Sequence, residues 1–398
     1  GAFNPDFNVN TRYVENAGAN VRRPGDLPTT RNVSNNRNAS LKMQFDIGRY
    51  LGKIFRTLRI IDKDDDGRAT RAPPRGGDGD APSDTTATDE PPAAVDPMFL
   101  VRATARMLSR IRKIDMSVQQ RQQNSYSRIP GRPAVDYQLG LTTNTGVTLG
   151  PDKFDQPLRF TQTLGFTLDS GVQVTDNIDV AARFNRSRNK NEINSSVTFS
   201  RTQIWPDVNM NWKGLETLGP LGRLFLATNA SVGYRATTRE SGRGEIVDAT
   251  SLSRSLTPTA SFQWRNGIGS SLAFQWTNNR QETRGAESET SAISVSMDMK
   301  YTFNPGSNLR IPLPFFGSKK LKSRLDTNLN MSYARTSGKR GEVEIPGTSR
   351  VRVSPRLTYN FSRALNGSFF VDYSRLHNDA TNQTITTLRV GLSAVFTF

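Results

Sequence analysis

Alternation with period two, sustained over long segments and repeated from residue 111 to the C-terminus, most constrains what this chain can fold into. The last segment, 387–398, shows it best: Leu388, Val390, Leu392, Ala394, Phe396 and Phe398 fall on one parity. Arg389, Gly391, Ser393 and Thr397 fall on the other, with Val395 the exception. Successive strand side chains point to opposite faces, so this is an extended segment with one apolar and one wet face. It is about as long as a tilted membrane-spanning strand, roughly 9–11 residues. Its aromatic end is the pattern of a closing strand of an outer-membrane barrel, with Phe396 and Phe398 as the assembly signal. The competing reading is an edge strand of a soluble sandwich.

The same alternation recurs upstream. Leu158, Phe160, Leu164, Phe166 and Leu168 alternate with Arg159, Thr161, Thr163 and Thr167; Val208, Met210 and Trp212 with Asp207, Asn209 and Asn211. Ala260, Phe262 and Trp264 face Leu272, Phe274 and Trp276 across an Asn266-Gly267 hairpin signal. Ile293 to Phe303, Leu325 to Tyr333 and Val351 to Phe361 repeat it, giving roughly sixteen strands, most longer than the five or six residues usual in soluble sheets. The wet parity carries Arg324, Asp326, Arg352, Arg356 and Arg389, the candidate lumen-lining residues. Trp212, Trp264, Trp276, Tyr301, Phe303 and Phe361 lie near the ends of apolar stripes, as interfacial aromatics do. The expected fold class is therefore all-β: an antiparallel transmembrane β-barrel, or the C-terminal part of a very large one.

Composition excludes several other classes. Only 35% of the 398 residues are hydrophobic, and no run approaches the ~18 apolar residues of a membrane helix. Cysteine is absent, which removes disulfides, thiolate metal sites and thiol catalysis. A net charge of +17 ordinarily suggests nucleic acid. Here the arginines alternate with apolar residues inside strands rather than forming blocks, so no nucleic-acid partner is expected. The chain opens on glycine without a signal peptide and reads as the C-terminal part of a longer precursor.

In chain order, residues 1–47 hold two extended segments (Phe7, Val9, Thr11, Tyr13; Leu41, Met43, Phe45, Ile47). Over 48–61 the period shifts. Tyr50, Leu51, Ile54, Phe55, Leu58 and Ile61 recur at helical spacing, with Arg49, Lys53, Arg56 and Arg59 on the opposite face: a basic amphipathic helix. Residues 62–97 are a disordered Asp/Gly/Pro linker, 98–110 a second short basic helix, and 111–398 the run of barrel strands. Tight turns are expected at Asp169–Gly171, Arg265–Gly269 and Ser362–Gly367. Long polar loops are expected at 186–193, 236–254, 280–290, 336–349 and 376–386, the short-turn, long-loop asymmetry of membrane barrels. Two apolar connections, Gly214–Gly222 and Ile311–Gly317, read as elements lying at the barrel rim.

Motifs for chemistry are few. Asp62, Asp64, Asp66 and Gly67 begin like a calcium loop, but Pro73 occupies the place of the bidentate glutamate, so a solvated linker is the reading. Gly267 and Gly269 form a turn, not a phosphate cradle. His377, the only histidine, has Asn378 and Asp379 beside it but no second imidazole for a metal site or triad. No catalytic, cofactor or metal residues are assigned, and no enzyme is expected.

Several stretches resemble the SprA/Sov family, giant outer-membrane translocon barrels of the type IX secretion system that are also tied to gliding motility. They are Gly48–Ile61, passing from strand to basic helix; Arg106–Val118 followed by Ile129-Pro-Gly-Arg-Pro133; Leu256–Gly267; and the terminal strands Val351–Phe398. The chain departs from the family in its acidic-Pro linker, its arginine content and the lack of a long aromatic-rich final loop. The resemblance implies a protein-conducting channel wall with a polar lumen. It also implies partners: outer-membrane lipid, secreted cargo proteins, a plug and other secretion-system components, and the barrel assembly machinery. The alternatives are a porin or transporter barrel for small solutes and a soluble basic adhesin-like β-protein.

Overall fold

The structure, a computed structural model, describes residues 3–17, 31–58, 99–129, 131–147, 159–193, 196–304, 310–313, 317–320, 323–362 and 365–396. The linker expected at 62–97 and Phe398 of the terminal signal lie outside the described residues.

Fourteen strands form one antiparallel sheet in which each strand pairs with its sequence neighbour in the sheet. They are β1 (Phe3–Ala17), β2 (Arg31–Phe45), β3 (Ile114–Ile129), β4 (Arg159–Gln173), β5 (Ile178–Ile193), β6 (Ser196–Lys213), β7 (Phe225–Arg243), β8 (Ile246–Trp264), β9 (Gly269–Thr283) and β10 (Ala286–Phe303). After a separate two-stranded hairpin, β11 (Arg310–Leu313) with β12 (Gly317–Lys320), the sheet resumes. Its last members are β13 (Leu325–Arg340), β14 (Val343–Asn360), β15 (Leu365–Asn378) and β16 (Gln383–Phe396). Among the described residues β1 pairs only with β2 and β16 only with β15, so the sheet is open at both edges. Between β2 and β3 stand α1 (Ile47–Thr57) and α2 (Phe99–Ser109), at the end of the sheet where β1 begins, called the lower end below.

The connections differ from expectation. The long upper loops shrink to hairpins with Gly244–Glu245, Arg284–Gly285, Gly341–Glu342 and Asp379–Asn382 between the strands. The polar residues assigned to them belong to the strands themselves, held by cross-strand ion pairs such as Arg280–Glu287 at 2.8 Å and Arg201–Glu240 at 3.5 Å. Polarity on both faces marks a strand standing in water as readily as a loop, and ladder pairing decides between them. Conversely, Asp169–Gly171 lies inside β4, whose turn into β5 is Val174–Asn177. Asn266 and Gly267 sit in a four-residue connection between Trp264 and Gly269 rather than a two-residue turn. Larger insertions lie at both ends: α1 and α2, the 214–224 connection and the hairpin before β13 at the lower end, and the β3–β4 connection at the upper end.

The best-packed cluster is at the upper end. There α3 (Val135–Gln138) folds against β1–β3. Tyr137 and Ile129 are fully buried, with Val33 and Tyr126 around them and Tyr13 packed alongside. Tyr137 meets Tyr13 and Tyr126 edge-on at 6.2 and 5.8 Å. Tyr126 Oη donates to the Thr143 carbonyl at 2.7 Å, and Asn35 Nδ2 donates to that of Tyr137. Gly140 takes φ +73°, and a Cβ there would come within 2.6 Å of Thr11 Cγ2, so only glycine suits the site. At the cluster edge Glu15 pairs with Arg31 and accepts from Tyr13 Oη at 2.9 Å. The Arg31 guanidinium holds the Glu15 carboxyl below the usual range, while burial, followed by the Glu15 contact, pushes Tyr13 up to about 12.

Tyr137→Ala should open this flap at a cost of about 3–5 kcal/mol, read as new protease cleavage between 131 and 147 with sheet amides still protected. Tyr137 Oη is buried without a partner, so Tyr137→Phe should be neutral or stabilising. Acid should loosen the flap as well. The Glu15 contribution is present above the ordinary carboxylate pKa and is lost only as pH falls through its lowered value.

Candidate functional site: two faces of one sheet

Antiparallel register puts directly opposed residues on the same face, so the two faces can be followed across all fourteen strands. In the lower half, one face is apolar. It carries Phe3, Phe45, Met43, Leu168, Val208, Ala260, Leu272, Met297, Leu329, Val353, Phe369, Leu392 and their alternating neighbours. Many of these side chains are open rather than packed in a core: Leu392 is 83% exposed, Leu388 64% and Val390 61%. Aromatics bracket the band. Below lie Phe225 with Phe262 and Trp264, Tyr301 with Phe303, and Tyr359 with Phe361. Above lie Tyr234, Trp276, Tyr333 and Tyr373, of which Tyr234 and Trp276 both oppose Leu256. From Leu325 to Tyr333 the band runs about 27 Å along the strand, the reach of one bilayer crossing at the usual tilt.

An apolar surface of this extent, flanked by aromatic belts and backed by a wet face, is built for lipid. A sheet can cross lipid because its own ladder satisfies its backbone, and sheet-built spanning proteins are those of outer membranes. The fold is of the outer-membrane β-barrel class and the location is the outer membrane. The strands exceed what crossing requires. β7 and β8 each have 19 residues, about 60 Å, so their upper halves, polar on both faces, stand clear of the bilayer.

The opposite face is mostly polar in the same band, with Phe370 its one large aromatic among the described residues. Across β3–β7, Asp115, Asp169, Arg183, Asp207 and Arg235 oppose one another in a single row. Arg183 pairs with Asp169, and Arg235 pairs with Asp207 at 3.0 Å. Arg112 reaches Asp179 at 2.7 Å beside them. This row borders an open cleft of about 760 Å³, which Asp46 and Lys113 also line. Across β10–β16 the same face carries Asp298 bonded to Asn330, and Asp326 accepting from Thr302 at 2.6 Å and from Arg324 at 2.8 Å.

The sequence-predicted polar residues fall here. Register puts Asp326, Arg352, Arg356 and Arg389 on this face, and Arg324 precedes β13 with its guanidinium on Asp326. Arg352 lies 3.4 Å from Asp372, which Arg389 opposes directly. Arg356 stands 5.8 Å from the Phe370 ring. That ring lies over Gly391, where a Cβ would collide at 2.2 Å. Sequence reading missed the Asp115–Arg235 row, because its members come from five strands and only register unites them. His377 lies in β15, with Nδ1 2.9 Å from Thr384 Oγ1, rather than in a loop. Among the described residues no three side chains of metal-binding type come together.

No protein-family model matches the chain, and no curated sequence does. Solved structures with similar strand arrangement are outer-membrane proteins. The β domain of the Bordetella autotransporter BrkA is 10% identical, with 61% of this chain and 93% of that one covered at a TM-score of 0.22. The alcaligin outer-membrane receptor FauA of Bordetella pertussis is 8% identical, covering 98% and 63% at 0.29. A loop-deleted OmpT, an outer-membrane protein of Vibrio cholerae, is 9% identical, with both chains fully covered at 0.26.

An exposed ion pair is worth about 0.2–1 kcal/mol, so Arg183→Gln should leave folding nearly unchanged. It removes the cation between Asp169 and Asp207, leaving three carboxylates in the row. Planar-bilayer reversal potentials should therefore shift toward cation preference. An unchanged potential would mean that the row does not face the conducting path.

Proposed function

We propose that the chain is part of the wall of an outer-membrane protein-conducting channel of the SprA/Sov type, passing secreted proteins to the cell surface. The observation that carries this reading is the pairing of a predominantly polar face with two sheet edges left open among the described residues. Translocation needs a wetted wall with no continuous apolar surface for cargo to adhere to. Arg, Asp, Asn, Ser and Thr from fourteen strands supply that wall. Closed on themselves, fourteen tilted strands give a backbone diameter of about 28 Å, which side chains narrow to solute size. Further strands at the free edges of β1 and β16 would widen the lumen toward that of the largest barrels, with about 36 strands. No group for bond chemistry is required, so the wall acts as a passive conduit. Secreted cargo, a plug, other secretion components and the barrel assembly machinery are the partners this reading calls for.

The absence of native cysteine makes a direct test available. Paired cysteines at Val9 on β1 and at Leu388, Val390 or Leu392 on β16 should form no intrachain crosslink in the assembled protein. Efficient crosslinking in any register would mean self-closure and would support the small-solute porin instead. In the same background, Arg352, Arg356 and Arg389 replaced together by Gln should alter conductance or cargo passage at normal yield of heat-modifiable barrel. Leu329→Arg or Leu392→Arg should each cost about 2–4 kcal/mol near mid-bilayer and lower that yield. The reverse pattern would invert the two faces.

A further inference from the structure

Between β2 and β3 the chain leaves the sheet for two helices whose surface the wall itself does not explain. α1 divides into three sectors at 100° per residue. Gly48 and Gly52 form a contact sector: a Cβ on Gly48 would fall 2.1 Å from the Ile111 carbonyl, and Gly52 lies against Ser109 of α2. Arg49, Lys53 and Arg56 occupy a second sector. Tyr50, Ile54 and Leu58 occupy the third, and they are 60%, 45% and 63% exposed. α2 adds exposed Val101, Met107 and Leu108 beside Arg102 and Arg106. The two helices carry five basic side chains and no acidic one.

We infer that α1 and α2 form an interfacial anchor that beds into the lower boundary of the bilayer and binds anionic lipid headgroups. The inference rests on the membrane reading of the sheet. Three observations select lipid over a protein partner. The helices emerge where the apolar band ends, α1 starting two residues beyond Phe45 and α2 leading into Ile114, so their apolar stripe lies at the depth of the bilayer boundary. Their charge is of one sign, complementary to anionic headgroups, as in helices that lie in the membrane plane. The 214–224 connection adds exposed apolar surface at the same end, with Leu218 and Leu224 near Arg223.

The test uses the full chain folded into phosphatidylcholine vesicles with or without phosphatidylglycerol, carrying one fluorophore at Leu58→Cys or at Leu392→Cys. Lipids spin-labelled near the headgroup should quench the Leu58 probe more than mid-chain labels do, with the order reversed at Leu392. Phosphatidylglycerol should strengthen quenching at Leu58, and Arg49, Lys53 and Arg56 replaced by Gln should abolish that dependence. By surface electrostatics each lost charge weakens the attraction roughly fivefold. A Leu58 probe in water, or shielded yet unquenched by lipid, overturns the anchor while a quenched Leu392 leaves the spanning sheet standing. If neither probe is quenched, the membrane reading fails first.

Discussion

The antiparallel hydrogen-bond ladder is the constraint on which the rest depends. In lipid each unsatisfied backbone group costs several kcal/mol, so the chain can cross only as strands paired on both sides. Pairing fixes direction and register, and register fixes which residues share a face. Because the side-chain period is two, one slipped residue would turn an entire apolar row toward water. The exposed row Leu388, Val390, Leu392 and the wet row Thr387, Arg389, Gly391 are thus set by a single ladder between β15 and β16. The same logic makes the unpaired edges of β1 and β16 costly wherever they lie in the bilayer, and calls for something to pair with them.

The upper halves of the strands obey a different balance. Above Trp276 and Tyr333 no lipid is available to bury apolar surface, and both faces turn to Arg, Glu, Ser and Thr. Ladder bonds and cross-strand ion pairs such as Arg280–Glu287 hold these ribbons, and each exposed pair contributes little. Tight turns help by limiting the ends; Arg284 and Gly285 both take positive φ between Thr283 and Ala286. Close packing is concentrated where a longer connection folds back, around Tyr137. There burial of three tyrosines replaces the lipid contact that stabilises the lower half.

Much of this was legible in the chain because alternation is a local signal. The apolar parity of Ile293–Phe303 or Val351–Tyr359 identifies a face before any partner is known, and each of the five predicted wet-face residues falls on the wet parity of its own segment for the same reason. Two things were not legible. A segment such as 280–290, with no large apolar side chain, is silent about whether it is loop or ladder. Its extent as strand depends on the neighbouring segment, not on itself. The Asp115–Arg235 row is non-local in the same way, since its five members are spread over more than a hundred residues and meet only through four registers.

The charges on the wet face are better understood as field than as glue. The Arg183 and Arg235 guanidinium groups are more than half exposed, where screening leaves each pair at about 1 kcal/mol or less. Ladder bonds and lipid contact already hold the strands they decorate. Mixed signs laid side by side keep the surface hydrated, and on the function proposed above they spare passing cargo a single-sign patch. A wall evolved to bind one solute would concentrate one sign at a constriction. On β5–β7 this face instead sets Arg beside Asp, and on β8–β10 and β13 it is filled largely with Asn, Ser and Thr. That distribution suits a surface that must stay wet and release whatever passes.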